Sequence, residues 1–335
     1  MARSKMTTRN AIMMATGAAL ITVGFSVSAS SRRSVDTLVA DAAAGASVVS
    51  DAAATVMAGS SKRAGLGQEW DLPNLDHPRI DYWVSRFDTV PEMRKKFQGF
   101  LDRGAELAPM ILDRLEARGM PQDLLYLAMI ESGFQPNATS HAAAVGVWQF
   151  ISETGQRYGL DIDRAVDERR DPVRATEAAL DYLEDLHGRF GSWYLAAAAY
   201  NSGEGRVGRS MRAEFGRERA RSESEYYQIW DRLPKETRDY VPLMIAAARI
   251  TKDPEAYGFR PLTPSPSVWE EITAAPATQL DDIAATYGTT VAELKALNPH
   301  FLLSRTPNNR SYPVRVPVGA VQYAQAQGSQ VNVAD

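Results

Sequence analysis

Residues 121–136 read PQDLLYLAMIESGFQP, and the reading of this stretch decides how the chain is built. Pro121 suits the first turn of a helix, Gln122 and Asp123 follow in that turn, and Gly133 and Pro136 stop it. A helix is therefore expected from about Pro121 to Glu131. Leu124, Leu125, Leu127, Ala128, Met129 and Ile130 make that helix part of a core. Glu131 ends the apolar run with no cationic neighbour in sequence. A carboxyl group in such surroundings loses hydration, and its neutral form is favoured.

The same helical spacing extends outward on both sides. Met93, Phe97, Phe100 and Leu101, then Leu107, Met110, Ile111 and Leu115, recur at helical intervals. Further helices are expected over Pro172–Leu186, with Ala175, Ala179, Tyr182, Leu183 and Leu186 on one face, and over Ser192–Tyr200. Another is expected to begin near Pro242, with Leu243, Met244, Ala247 and Ile250 on its buried side. No convincing alternating strand interrupts this region, so the fold class is mainly α: one helical domain over 67–259, its core at about 115–215.

Residues 260–267 carry prolines and read as a stiff linker. The C-terminal region beyond it differs in kind. A strand within Val268–Ile272 and two short helices, one carrying Leu280, Ile283, Ala284 and Tyr287 and the other Val291, Leu294 and Leu297, precede a strand in YPVRVPV from Tyr312. This makes a small β-α-α-β module over 268–320, and the polar stretch 321–335 is expected to be a disordered tail.

At the other end, Arg3, Lys5 and Arg9 precede an apolar stretch from Ala11 to about Phe25 and the small residues Val27, Ser28 and Ala29. This is the layout of a secretory signal peptide over 1–29, with an uncleaved membrane anchor as the alternative. Residues 30–66, rich in Ala, Ser, Gly and Val and without an aromatic, read as a low-complexity tether. Export to the periplasm or cell envelope is expected. The chain has no Cys, so a lipid-modified cysteine is excluded and the exported fold must rely on its core.

With 335 residues, 44% of them hydrophobic, the chain can bury a large core. A net charge of −4 gives no strong field, so no nucleic-acid partner is expected, and a monomer is. His77, His141, His187 and His300 lie far apart and there is no thiol, so neither a metal nor a cofactor is expected. The segment DIDRAVDERRDP from Asp161 has Val166 where a calcium loop needs glycine, and reads as helix capping and surface pairing with Arg164, Arg169 and Arg170. No serine sits in a nucleophile elbow, and no glycine-rich phosphate loop follows a strand.

The carboxylate chemistry survives this elimination. Cleaving a glycosidic bond needs a proton donor at the leaving oxygen, and a carboxylic acid serves near neutrality only when burial raises its pKa. An ordinary glycosidase has a second carboxylate about 5–10 Å away. After Glu131 no acidic residue follows until Glu153, in a separate segment. If Glu131 acts alone, the nucleophile of the second step is expected to be a hydroxyl of the sugar itself.

The Glu-Ser pair alone is a weak signal, since Glu223-Ser224 repeats it in a charged stretch. Its companions are specific: ESGF at 131–134, Ser140, GVWQF at 146–150, AYNSGEG at 199–205 and TRDYVPLMIAA at 237–247. In this order and spacing they resemble the soluble lytic transglycosylase family of peptidoglycan-cleaving enzymes, over roughly Trp70 to Tyr257. The resemblance implies a lysozyme-like helical fold and Glu131 as sole acid/base. It further implies substrate contacts from Ser140 and Gln149, with Tyr200 and Tyr240 lining the cleft, and Asn201 beside Tyr200 is a further candidate for substrate binding. Where the commoner motif is Gly-Leu-Met-Gln, this chain has Gly146-Val147-Trp148-Gln149, and Trp148 is expected to offer a flat platform to a sugar ring.

The implied partner is the peptidoglycan glycan strand. The implied product is a 1,6-anhydro-muramic end, formed without water at the β-1,4 bond between N-acetylmuramic acid and N-acetylglucosamine. A hydrolytic, lysozyme-like muramidase and a non-catalytic wall-binding scaffold are the alternatives. DDIAATYGTTVAELKALNP, in the C-terminal module, is similar to the LysM family, which binds N-acetylglucosamine-containing chains; the opening PATQL departs from its pattern, so glycan binding and a structural remnant packed on the main domain both stand as readings. Trp193 reads as a core aromatic. The run Arg206, Arg209, Arg212, Arg217, Arg219 and Arg221, interspersed with Glu214 and Glu218, reads as a solvated face.

Overall fold

A computed structural model describes residues 69–329. The expected signal peptide, the whole of the tether and the last residues of the expected tail lie outside that range. Nine α-helices make up the first domain as described: α1 Pro78–Thr89, α2 Pro91–Ala117, α3 Leu125–Ser132, α4 Ser152–Arg157, α5 Pro172–Phe190, α6 Trp193–Ser202, α7 Glu204–Phe215, α8 Glu225–Gln228 and α9 Lys235–Lys252. Two of them, α3 and α6, are buried almost all round: Leu124–Ile130 in and before α3, and Tyr194–Ser202 in α6, are closed to solvent. Helices without a polar face can exist only when others surround them. α9 packs on α1, α3 and α6, while α2 and α5 enclose the other sides.

The opening stretch behaves as its punctuation dictates. A 3-10 turn, Gln122–Leu124, leads into α3, and Gly133 ends it with φ 61°. Only glycine fits there, because a Cβ would lie 2.2 Å from the Phe100 ring.

α9 corrects one expectation. It begins at Lys235, and Pro242 lies inside it. A proline in a helix interior leaves the carbonyl four residues earlier without its N–H partner. Here that carbonyl, of Arg238, accepts instead from the Trp230 indole N–H at 2.7 Å and the Tyr226 hydroxyl at 3.0 Å. The helix continues because side chains from another segment replace the missing bond.

The second unit is the expected β-α-α-β module. β1 Glu270–Ala274 pairs antiparallel with β2 Tyr312–Val316, Ile272 opposite Val314, and α10 Leu280–Thr286 and α11 Val291–Leu297 lie between them in sequence. Thr290 and Glu293 form a reciprocal capping box at α11. The tail expectation is corrected in part. Residues Ala320–Ala326 form a further helix, α12, whose Ala320 and Ala324 complete the module core with Ile272, Ile283 and Leu294. Small residues at that spacing let the helix approach closely, a signal hidden among its polar neighbours. The linker 260–267 lies along α2, with the Ser265 N–H on the Ala105 carbonyl at 2.8 Å.

The aspartate-rich segment is also corrected. Its capping role holds, since Asp171 accepts from the N–H groups of Val173 and Arg174 at the start of α5. Its pairing is at the surface only for Asp161 and Asp163, which meet Arg310, while Asp167 pairs with the expected Arg169 and Arg170 in a buried place. Asp171 is 1% exposed and receives two bonds of 2.9 Å from Arg315 of β2. The segment is therefore where the module joins the helical domain.

Candidate active site

Glu131 closes the last turn of α3, where the buried helix meets a partly open surface, and its side chain is half-buried. Burial pushes its carboxyl up to about 7; the Tyr240 hydroxyl works against this, and the charge of Glu236 adds to it. Tyr240, from α9, donates to Glu131 Oε1 at 2.5 Å. The carboxyl can thus exist in both protonation states near neutrality, which a group that first gives and then takes a proton requires.

Three segments converge here. The Tyr200 hydroxyl, from α6, donates to the Trp148 carbonyl at 2.8 Å. Ser132 Oγ donates to the Val147 carbonyl at 2.8 Å and accepts from the Gln135 N–H, so the end of α3 is tied to the GVWQF loop. Burial and the Glu131 charge hold the Tyr200 and Tyr240 phenols well above their ordinary range, so both remain neutral donors.

Ser140 and Gln149 share one tightly knotted loop, 138–150. The Val145 and Phe150 backbones exchange hydrogen bonds of 3.0 and 3.1 Å, and the Gly146 N–H reaches the Ala138 carbonyl at 2.9 Å. Ser140 Oγ accepts from the Ala144 N–H at 3.0 Å. Gln149, at φ 51°, turns its amide N–H onto the Gly146 carbonyl at 2.9 Å. Gly146 is required by close approach: at φ 87°, a Cβ there would lie 1.7 Å from the Arg169 carbonyl.

Two candidate residues are placed otherwise than expected. Trp148 is completely buried, and its indole N–H donates to Thr176 of α5 at 2.9 Å, so its ring offers no face to a sugar. Asn201 is 4% exposed and accepts from Thr237 Oγ1 at 2.8 Å, joining α6 to α9. Tyr200 and Tyr240 are also largely buried, with each hydroxyl on a polar partner, which combines core packing with a place beside Glu131. Trp193 stacks on His187 at 3.9 Å, as a packing aromatic does. In the arginine run, Arg212 pairs with Glu218, and Arg217 pairs with Glu225 at 2.7 Å.

Sequence reasoning missed Glu236, Ser132 and a row of rings. Tyr182 stands 5.1 Å from Tyr200 and 4.9 Å from Tyr158, with the Arg157 guanidinium over the Tyr158 and Tyr182 rings. Tyr182 was legible only as one more residue on the buried face of α5. Glu236 lies on a remote segment and has no local signature. No group of His, Asp or Glu that could hold a metal ion occurs among the described residues.

Residues 110–222 match the family model of the transglycosylase SLT domain, and residues 269–333 match the LysM-like domain of lytic transglycosylase MltD. The two matches fall on the segments whose motifs carry the resemblance. Membrane-bound lytic murein transglycosylase D of Escherichia coli (strain K12) is 39% identical over 191 residues, which cover 56% of this chain and 41% of that protein. The peptidoglycan transglycosylase gp16 of Escherichia phage T7 is 42% identical over 96 residues, 28% of this chain and 7% of its own length. The 70 kDa soluble lytic transglycosylase of Escherichia coli aligns in structure with a TM-score of 0.35 at 22% identity, covering 47% of this chain and 25% of that one. The chain thus spans about two fifths of the length of that membrane-bound Escherichia coli relative.

Proposed function

We propose that the protein is a lytic transglycosylase that cleaves the β-1,4 bond between N-acetylmuramic acid and N-acetylglucosamine in peptidoglycan and leaves a 1,6-anhydro-muramic end. The observation that carries this reading is the Glu131 carboxyl, held up to about 7 by burial and grasped by Tyr240. In the first step, neutral Glu131 gives its proton to the glycosidic oxygen as the bond to C1 breaks. In the second, the Glu131 carboxylate takes the proton of the muramic C6 hydroxyl, whose oxygen bonds to C1 and closes the ring. Glu131 ends protonated, so the cycle is balanced. The attacking hydroxyl is tethered to the reacting carbon, and intramolecular attack has a large effective concentration that replaces an activated water.

The Tyr240 hydroxyl stabilises the carboxylate between the two steps. Ser140 and Gln149 are proposed substrate contacts on the 138–150 loop, and Tyr200 holds that loop to α6. Such a substrate implies action in the cell envelope. Among the described residues no helix is long and apolar enough to cross a membrane.

One observation favours a second reading. Glu236 is near enough for its charge to raise the Glu131 carboxyl, and a second carboxylate is what a hydrolytic muramidase would use to activate water. Glu131→Gln tests catalysis as such: lost muropeptide release with retained binding of sacculi supports it, and undiminished release would leave only a binding scaffold.

A further inference from the structure

The helical domain inserts a segment of itself into the core of the C-terminal module. Val166, 0% exposed, belongs to the apolar cluster of Ile272, Leu280, Leu294, Phe301 and Val314. It bridges to Phe301, the Leu302 N–H reaches the Ala165 carbonyl at 2.9 Å, and the Asp167 N–H reaches the His300 carbonyl at 2.9 Å. On either side of this insertion, Arg315 holds Asp171, Arg310 holds Asp161 at 2.8 Å, and the Tyr312 hydroxyl donates to Glu168. A module tethered only to gather substrate would need no such shared core.

The same segment grips the loop that carries Ser140 and Gln149. The Arg169 guanidinium, in a residue 9% exposed, donates twice to Asp167 at 2.8 Å. Its remaining nitrogen donates to the Ala143 carbonyl at 3.1 Å and the Phe150 carbonyl at 3.2 Å. Ala143 and Phe150 stand on opposite limbs of the 138–150 knot, and the Arg169 carbonyl fills the space left by Gly146. Thus β2 and the preceding loop fix residues 161–171, and these fix the 138–150 loop.

We propose that the C-terminal module is a structural part of the active site, with Arg169 as the positioning residue that transmits its hold to the 138–150 loop. The catalytic half of this statement rests on the function proposed above; the half concerning the loop does not. A module in this role acts through the loop, so breaking its hold lowers turnover and changes affinity only through Ser140 and Gln149.

The test uses the full chain carrying Arg315→Met or Arg169→Met, with Arg169→Lys as the conservative variant and Tyr312→Phe as a mild one that spares the buried charges. Turnover of short, uncrosslinked glycan strands is measured together with amide hydrogen exchange of the 138–150 segment. A sub-ångström to ångström displacement of positioning groups is expected to lower kcat roughly 10- to 100-fold. Exchange at Val145, Gly146 and Phe150 should quicken while α6 stays protected, with Arg169→Lys intermediate and Tyr312→Phe shifted weakly in the same direction. Wild-type kcat and KM together with unchanged exchange of 138–150 in folded variants would overturn the proposal, as would a raised KM with that exchange unchanged, which marks a glycan tether. If the wild type itself shows no turnover, the proposed function fails, and the exchange of 138–150 alone decides the role of the module.

Discussion

Replacing Glu131 by Gln should make the protein more stable at alkaline pH and leave it unchanged in acid. The side chain ordinarily titrates at 4.5 and in this fold at about 7. Below pH 4.5 the carboxyl is neutral in both the folded and the unfolded chain, and its contribution is fully present. Between 4.5 and about 7 the native state keeps a proton that the unfolded state has lost, so stability falls as pH rises. Above that interval a charged carboxylate sits in the apolar end of α3 at the full difference, roughly 3 kcal/mol, an upper figure because the side chain is half-buried. Glutamine has the same shape, can accept the Tyr240 hydroxyl bond through its amide oxygen, and does not titrate. The gap between variant and wild type should therefore open between pH 4.5 and 7 and reach about 6–12 °C in Tm at pH 8 for a domain of this size. Paired thermal melts from pH 4 to 8.5 measure it, and other groups cancel in the difference. A gap that is constant with pH, or one that closes as pH rises, would refute the buried-carboxyl argument.

Tyr240→Phe removes the bond that opposes burial, so the Glu131 carboxyl should titrate still higher and the alkaline fall in activity should move to higher pH. Its maximal rate should drop about tenfold or more, as losing a hydrogen bond to a charged group implies; a pH–rate profile reads both. Glu236→Gln should move the alkaline fall to lower pH while turnover persists, whereas a loss of about 100-fold or more would favour the hydrolytic reading. Gly146→Ala should cost about 2 kcal/mol or more, since neither φ 87° nor a 1.7 Å approach to the Arg169 carbonyl admits a Cβ; a melt measures it.

The features legible in the sequence were local ones. Helix periodicity, the Gly133 stop and the apolar approach to Glu131 are properties of neighbouring residues, and all of them place α3 and its carboxyl where the structure has them. The misreadings were decided by distant partners. Pro242 reads as a helix start until the Trp230 indole is seen to satisfy the Arg238 carbonyl. Trp148 reads as a sugar platform until Thr176 takes its N–H and the core closes over the ring. Asp171 reads as a surface group until β2 supplies Arg315. Glu236 meets Glu131 only because α9 packs on α3.

The most direct test of the account is the chemistry of the ends it leaves. Purified sacculi digested with the protein and analysed by mass spectrometry should yield muropeptides ending in 1,6-anhydro-muramic acid, lighter by one water than reducing ends, and Glu131→Gln should yield none. Reducing muramic ends from the wild type would contradict the internal-hydroxyl mechanism and point to water activated beside Glu131.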